Sequence, residues 1–275
     1  MLDRHPCFNV AAATTHSRVH LAVAPRCNLE CNYCDRRYDC VNESRPGVTS
    51  RVLKPDEAVA YLASLRGTPH DPSVLGLAGP GDPLYNEETF QTLALVREAF
   101  PEKILCLSTN GLALPERAAD LWELGVRFLT VTLNTLRPAV GAGIYRSVRL
   151  GRRTYRGEDG ASRLLERQLE GLTKAKELGF TLKLNTVYLP GLNDGDLESI
   201  AWQARSLGAV QMNLMPLIPS GEFLDRPAPT HADVVARRRA IKAIIPQMSH
   251  CRQCRADAVG PLFPAKGETA CSTPS

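Results

Sequence analysis

Short apolar runs alternate with longer amphipathic stretches along most of the chain. Six apolar runs have the length of buried β-strands, at 19–24, 74–78, 104–107, 128–133, 181–187 and 210–214. Five further stretches carry apolar residues at helical spacing, at 55–65, 87–100, 115–124, 162–178 and 196–207. Glycine stands where three of the helices should end, at Gly125, Gly179 and Gly208. The alternation predicts repeated βα units around a parallel sheet.

The number of βα units favours an α/β fold of the incomplete (β/α)6 TIM-like barrel class. The chain has 275 residues, of which 44% are hydrophobic, and this suits one large domain. We therefore expect a single domain over 1–275, with an N-terminal extension at 1–17, a barrel core at 18–219 and a C-terminal extension at 220–275. In barrels the chemistry lies at the C-terminal ends of the strands.

Charge and hydropathy narrow the function classes. The formal charge is only +4, and we interpret the short basic run at 237–239 as the solvated face of a helix, so we expect no nucleic-acid partner. The N-terminus lacks the apolar core of a signal peptide. No apolar stretch approaches the roughly 20 residues of a membrane span. We expect a cytoplasmic protein with no membrane partner.

Three cysteines lie directly after the first predicted strand, at Cys27, Cys31 and Cys34. A four-iron four-sulfur cluster normally takes four cysteine ligands, so three on one loop leave one iron open to a ligand that is not protein. The alternative is a structural zinc site. Zinc sites usually pair two CxxC units or add a nearby histidine, and the nearest histidine on the C-terminal side is His70.

Polar and glycine residues stand at the predicted strand ends. Gly79 and Gly81 would let the backbone approach a ligand, and the Asp82 carboxylate could accept from an ammonium group, although the segment could also be a plain turn. Later strands carry Ser108, Asn110, Asn134 and Asn185 near their ends. These side chains could bind ribose hydroxyls or a carboxylate, or simply cap the next helix.

The chain has nine cysteines, an odd number that cannot pair fully and that favours metal or cluster ligation in a reducing compartment. Those outside the triplet are Cys7, Cys40, Cys106, Cys251, Cys254 and Cys271. The CxxC pair in the C-terminal stretch suits either a cluster or zinc. His20 shares a strand face with two alanines, so it is either a core histidine with a hydrogen-bond partner or a metal ligand.

The CxxxCxxC spacing, with Tyr33 directly before the third cysteine, resembles the signature of radical S-adenosylmethionine (SAM) enzymes. In that superfamily the open iron binds the amino and carboxylate groups of SAM, and a glycine-rich segment like 79–83 binds the cofactor. Longer stretches resemble the NifB family of nitrogenase cofactor maturases. These are HPCFN at 5–9, HLAVAPRCN at 20–28, YDCVNESRPGVTS at 38–50, GPGDPL at 79–84 and CRQCRADAVG at 251–260.

The resemblance implies a reaction that fuses two four-iron clusters and inserts a carbide from the SAM methyl group, giving an eight-iron precursor. It implies three four-iron four-sulfur clusters, one that binds SAM and two that are substrates. The implied ligand sets are Cys27, Cys31 and Cys34 for SAM; His20, Cys40 and Cys106 for one substrate; and Cys7, Cys251 and Cys254 for the other. Cys271 has no place in this pattern, and His16 is the next histidine candidate after His20.

The resemblance also directs attention to the polar loop after Cys40, where Glu43 and Arg45 could handle protons or support an anionic cluster, or form a surface ion pair. Expected partners are cluster donors and an electron donor. Many relatives carry a further carrier-like domain, and this chain ends before one, so we expect a separate carrier protein. Two other functions stay open: a different radical SAM maturase with auxiliary clusters, for molybdopterin or peptides, and a zinc-stabilised binding module.

Overall fold

A curled sheet of seven strands forms the centre of the computed structural model, which describes residues 1–40 and 48–263. The strands are β1 Arg18–His20, β2 Leu29–Cys31, β3 Val74–Leu77, β4 Ile104–Thr109, β5 Val126–Thr132, β6 Tyr145–Leu150, β7 Arg153–Tyr155, β8 Thr181–Tyr188, β9 Gln211–Pro216 and β10 Val259–Gly260. The helices are α1 Pro55–Leu65, α2 Glu87–Ala99, α3 Leu114–Glu123, α4 Pro138–Ile144, α5 Gly157–Leu178, α6 Leu197–Ser206 and α7 His231–Ile241. Glu43, Arg45 and Cys271 lie outside the described residues.

The strand order of the large sheet is β10-β1-β3-β4-β5-β8-β9. All pairs are parallel except β1 with β10, which is antiparallel. The predicted incomplete barrel with six parallel strands is therefore confirmed. The first strand is shorter than predicted, because beyond His20 the amide of Val23 donates to the carbonyl of Leu21, two residues earlier in the same segment, instead of to β3. The division into extensions and a core stays a prediction.

The core lies between this sheet and the helices outside it. On α3, Leu114, Ala118 and Leu121 recur at helical spacing and are fully buried, as is Leu172 on the facing helix α5. Full burial of such a leucine contributes about 1.5–3 kcal/mol. In the described parts of the chain, no helix is both long and apolar enough to cross a membrane.

A small second sheet, in the order β2-β6-β7, was not predicted. Its strand β2 runs through the cysteine triplet, and Leu29 and Glu30 pair with Val148 and Ser147 of β6. Helix α5 also begins earlier than predicted, at Gly157, since Glu158 and the next acidic residue favour a helix start there. The stretch 137–160, in which no strand and no helix were predicted, thus holds the cysteine loop through the pairing of β2 with β6.

Candidate functional site

The three clustered cysteines open onto one pocket at the C-terminal edge of the sheet. Cys27, Cys31 and Cys34 line it together with Cys40. The side-chain amide of Asn110 approaches Cys27 Sγ to 3.7 Å. Burial, and then the nearby Asp82 carboxylate, raise the pKa of Cys27 to about 12, so its thiolate needs a neighbouring cation. Iron supplies that cation and keeps a bound thiol deprotonated, so the donor set fits an iron–sulfur cluster.

Asp82 lines the same pocket but its carboxylate is already engaged by the protein. It accepts from the Thr109 hydroxyl at 2.9 Å, the Asn110 amide at 2.7 Å and the Leu84 amide at 3.0 Å. Burial raises the pKa of Asp82 to about 6 despite these bonds. The carboxylate thereby ties the segment after β3 to the end of β4. A direct contact of Asp82 with a cofactor ammonium stays a prediction.

Gly81 brings the segment after β3 against the turn that leads into Cys27. Its amide donates to the Ala24 carbonyl at 2.5 Å, and the next amide donates to the Arg26 carbonyl at 2.9 Å. A Cβ atom at Gly81 would lie 2.2 Å from the Arg26 carbonyl oxygen. Only glycine permits this approach.

We expect Gly81→Ala to displace the turn before Cys27. Such a clash with backbone costs about 1–3 kcal/mol or more, because neither chain segment can move without losing its hydrogen bonds. The unfolding temperature of the iron-free variant should be lower than that of the wild type, and the variant should bind less iron at the triplet. Gly195→Ala is the matched control, since a Cβ atom there meets only an Arg137 nitrogen at 3.7 Å. Equal stability of the two variants would contradict the close approach.

A second cavity, of about 80 Å³, lies beside the first pocket. The candidate ligands that line it are Cys7, His20, Cys106, Cys251 and Cys254. Strand register places Gly76 between His20 and Cys106 on adjacent strands. A Cβ atom at Gly76 would lie 3.0 Å from the His20 ring and 3.3 Å from Cys106 Sγ. The glycine therefore leaves open the space that these two side chains face.

His20 is held in the form that binds metals. Its Nδ1 lies 3.0 Å from the Arg255 carbonyl oxygen, which can only accept, so Nδ1 carries the proton. Burial first, and then the charge of Arg18, lower the pKa of His20 to about 4, so the ring is neutral. Its Nε2 keeps a free lone pair, as in metal-bound histidines with a carbonyl partner. His16, the alternative candidate, does not line the cavity and contacts the Thr15 hydroxyl.

Two buried basic side chains, one lining the second cavity and one beside it, were not predicted from the sequence. Arg18, only 1% exposed, donates to Cys254 Sγ at 2.9 Å and to the Gly260 carbonyl, and so joins β1 to the C-terminal stretch. Lys183 lines the cavity from β8. The available signal was a basic residue within or beside a predicted buried strand.

The other predicted site residues are distributed between the two spaces. Ser108 lines both the pocket and the cavity, which therefore adjoin, and Asn185 lines the cavity. Cys40 lies with the triplet and not beside His20. Tyr33 and Asn134 are buried behind the triplet, where the asparagine amide donates to the tyrosine hydroxyl at 2.7 Å. The Gly79 carbonyl accepts from the Ala24 amide at 3.2 Å.

The thiols share these spaces without forming a tight ligand set. Across 1–40 and 48–263, no three His, Cys, Asp or Glu side chains lie close enough together to hold a metal ion.

Comparison with known proteins decides the family. Residues 21–202 match the radical SAM superfamily. FeMo cofactor biosynthesis protein NifB of Chlorobaculum tepidum is 44% identical over 262 residues, which cover 94% of this chain and 62% of that protein. The protein of the same name from Methanocaldococcus infernus is 43% identical over 262 residues, which cover 94% of this chain and 86% of that protein. The chain belongs to the NifB family of radical SAM proteins.

Membership in the radical SAM superfamily implies SAM and a four-iron four-sulfur cluster as cofactors. The chain spans less than two thirds of the length of the Chlorobaculum NifB. The crystal structure of methylornithine synthase (PylB) matches with a TM-score of 0.53 at 16% identity, covering 85% of this chain and 64% of that one. That likeness concerns the fold alone and agrees with the incomplete barrel.

Proposed function

We propose that the protein is a radical SAM enzyme of FeMo cofactor biosynthesis that fuses two four-iron clusters around a carbide taken from the SAM methyl group. The observation that supports this most is the pair of adjoining spaces. One holds the triplet, and the other holds five further candidate ligands within a single cavity. An enzyme that only cleaved SAM would need the first space and not the second.

The proposed ligand sets are those that the family resemblance implies. Cys27, Cys31 and Cys34 would hold the cluster that binds SAM. His20 and Cys106 from the second cavity, together with Cys40 from the adjoining triplet pocket, would hold one substrate cluster. Cys7, Cys251 and Cys254 would hold the other. Three protein ligands for each substrate cluster leave one iron exchangeable, which suits a cluster that must fuse and leave.

A cluster held by Cys27, Cys31 and Cys34 would, when reduced, supply the electron for cleavage of SAM to methionine and a deoxyadenosyl radical. The protein's part is to hold the reactants and to exclude other hydrogen donors. Leu29 and Asn28 are buried beside the triplet, and the Asn110 side-chain amide donates to Asn28 Oδ1 at 2.7 Å, which ties the end of β4 to the cysteine loop. Our proposed SAM-binding residues are Gly79, Gly81, Asp82, Ser108, Asn110, Asn134, Asn185 and Tyr33.

Proton removal and delivery complete the proposal. A carbide has no hydrogens, so a base must act after methyl transfer, and Glu43 and Arg45 are our candidates for proton handling. Cluster donors and an electron donor would supply the reactants. A carrier protein would receive the eight-iron product.

Release of iron separates this function from another SAM-dependent maturase. The protein would be reconstituted anaerobically, and the iron that leaves it would be measured before and after SAM is added. We expect iron to leave as a larger cluster only with SAM. Auxiliary clusters that stay bound through SAM cleavage would favour peptide or molybdopterin maturation, and a colourless preparation with zinc and no iron would indicate a binding module.

We expect His20→Ala to weaken iron binding in the second cavity while SAM cleavage continues. His20→Cys should hold that cluster at least as firmly, yet slow product formation, because a thiolate is harder to displace than neutral imidazole. Iron content, cluster resonance spectra and product yield would be measured for each variant. Wild-type values in both variants would show that His20 is an ordinary core residue.

A further inference from the structure

Lys183 places a positive charge inside the second cavity with no acidic partner nearby. It is the third residue of β8 and is only 6% exposed. Its ammonium lies 4.8 Å from the centre of the Phe8 ring and 3.8 Å from Met248 Sδ. Among the residues described, no Asp or Glu oxygen lies within 4.0 Å of that ammonium. A ring face and a thioether are weak partners for a buried charge.

An unpaired charge in a low-dielectric interior carries a large desolvation cost. A lysine at this position is therefore explained best by an anion that enters the cavity. The cavity walls indicate which anion. Cys7, Cys106, Cys251 and Cys254 line the same space, and iron ligation would turn these thiols into thiolates around sulfide. Phe8, which carries the ring under the ammonium, is the residue next to Cys7.

The second cavity otherwise offers neutral polar groups. The neutral ring of His20 adds no charge, and Asn213 donates to the Asn185 side chain at 3.3 Å, so these two amides partly satisfy each other. Arg18, the other buried cation, is bonded to Cys254 and to backbone carbonyls. The ammonium of Lys183, by contrast, contacts the Phe8 ring and the Met248 thioether in the part of the chain that the structure describes.

Building on the proposed function, we infer that Lys183 is the counter-charge that binds an anionic iron–sulfur cluster in the second cavity. It would retain each substrate cluster between arrival and fusion, and it would favour the more reduced and more negative states of the cluster. Its role is binding of the cargo through charge. The reaction itself needs no proton from this side chain.

The test compares iron-free and cluster-loaded protein. Lys183→Met keeps the length of the side chain and removes its charge, Lys183→Arg restores the charge, and Lys103→Met is the control. Lys103 is also largely buried, but it pairs with Asp71 at 2.6 Å, at the start of β4. For each variant we would measure the rate of iron loss to a chelator and the reduction potential of the auxiliary clusters. We would also measure the unfolding temperature of the iron-free protein and the rate of SAM cleavage.

We expect Lys183→Met to lose auxiliary iron about tenfold faster than wild type, since removing one partner of a buried charge pair mainly speeds dissociation. Its auxiliary reduction potential should shift to more negative values, and Lys183→Arg should reverse both changes. Without iron, Lys183→Met should be at least as stable as wild type, because it no longer buries an unpaired charge. Continued SAM cleavage would show that the triplet cluster is intact.

Two results would overturn the inference. One is that Lys183→Met retains iron as well as the wild type does and that its auxiliary clusters have the wild-type reduction potential. The other is a lower unfolding temperature of the iron-free variant with no change in potential, which would indicate a packing role. Failure of the wild-type chain itself to hold auxiliary iron would instead overturn the proposed function, so the two failures are distinguishable.

Discussion

Cys31→Ala is expected to reduce SAM cleavage to background while the iron in the second cavity stays bound. The reason is the separation seen in the structure. Cys31 lines the triplet pocket, whereas Cys7, His20, Cys106 and Cys254 line the neighbouring cavity. Removal of one of three cysteines leaves the SAM-binding cluster short of a ligand and does not touch the other ligands. Deoxyadenosine formation and iron per chain would be measured on the same reconstituted sample.

Cys40→Ala is the matched control for this experiment, because Cys40 lines the same pocket and is not part of the triplet. We expect it to keep SAM cleavage and to lose product. If Cys40→Ala also abolished cleavage, Cys40 would belong to the SAM site. If Cys31→Ala lost all of its iron, the division into separate ligand sets would be wrong.

Cys254→Ala is expected to remove one substrate cluster and the eight-iron product, with SAM cleavage retained. The same change removes an acceptor of the buried Arg18 guanidinium, which donates to Cys254 Sγ at 2.9 Å. A buried donor that loses its acceptor costs about 1–3 kcal/mol, so the iron-free variant should also unfold at a lower temperature. Iron content and thermal unfolding would be compared.

Cys254→Ser separates the two effects. Its hydroxyl can still accept from Arg18, so the iron-free protein should unfold near the wild-type temperature. A hydroxyl is a poor ligand for iron–sulfur clusters, so cluster and product should still be lost. A serine variant that keeps the cluster would show that Cys254 serves Arg18 and the fold, and that ligation lies elsewhere.

The parallel sheet could be predicted from the sequence because its strands are buried on both faces. Such strands form continuous apolar runs, and Val74–Leu77 is buried at every position. The small second sheet could not be predicted in the same way. Its strand β2 has only Leu29 fully buried, and its pairing partner lies more than 100 residues later in the chain. Short strands of this kind depend on tertiary pairing and not on a local pattern.

The candidate ligands were found from cysteine spacing and family resemblance, but their grouping in space was not. The CxxC spacing of Cys251 and Cys254 suggests a shared ligand role, and it gives no sign that they meet His20 and Cys106 in one cavity. The role of Gly76 depends on register between three strands, which no local pattern reveals. Lys183 resembled a residue of an ordinary strand, because burial of its charge becomes visible only once Phe8 and Met248 pack beside it.

The fate of the SAM methyl carbon tests the central claim most directly. Wild-type protein, reconstituted anaerobically, would receive SAM radiolabelled at the methyl carbon, and the released iron would be separated from protein and small molecules. We predict that the label leaves with the released iron cluster, and that Cys31→Ala releases no labelled cluster. Label recovered only as methylated protein or intact methionine, with none in the released iron, would contradict carbide insertion by this enzyme.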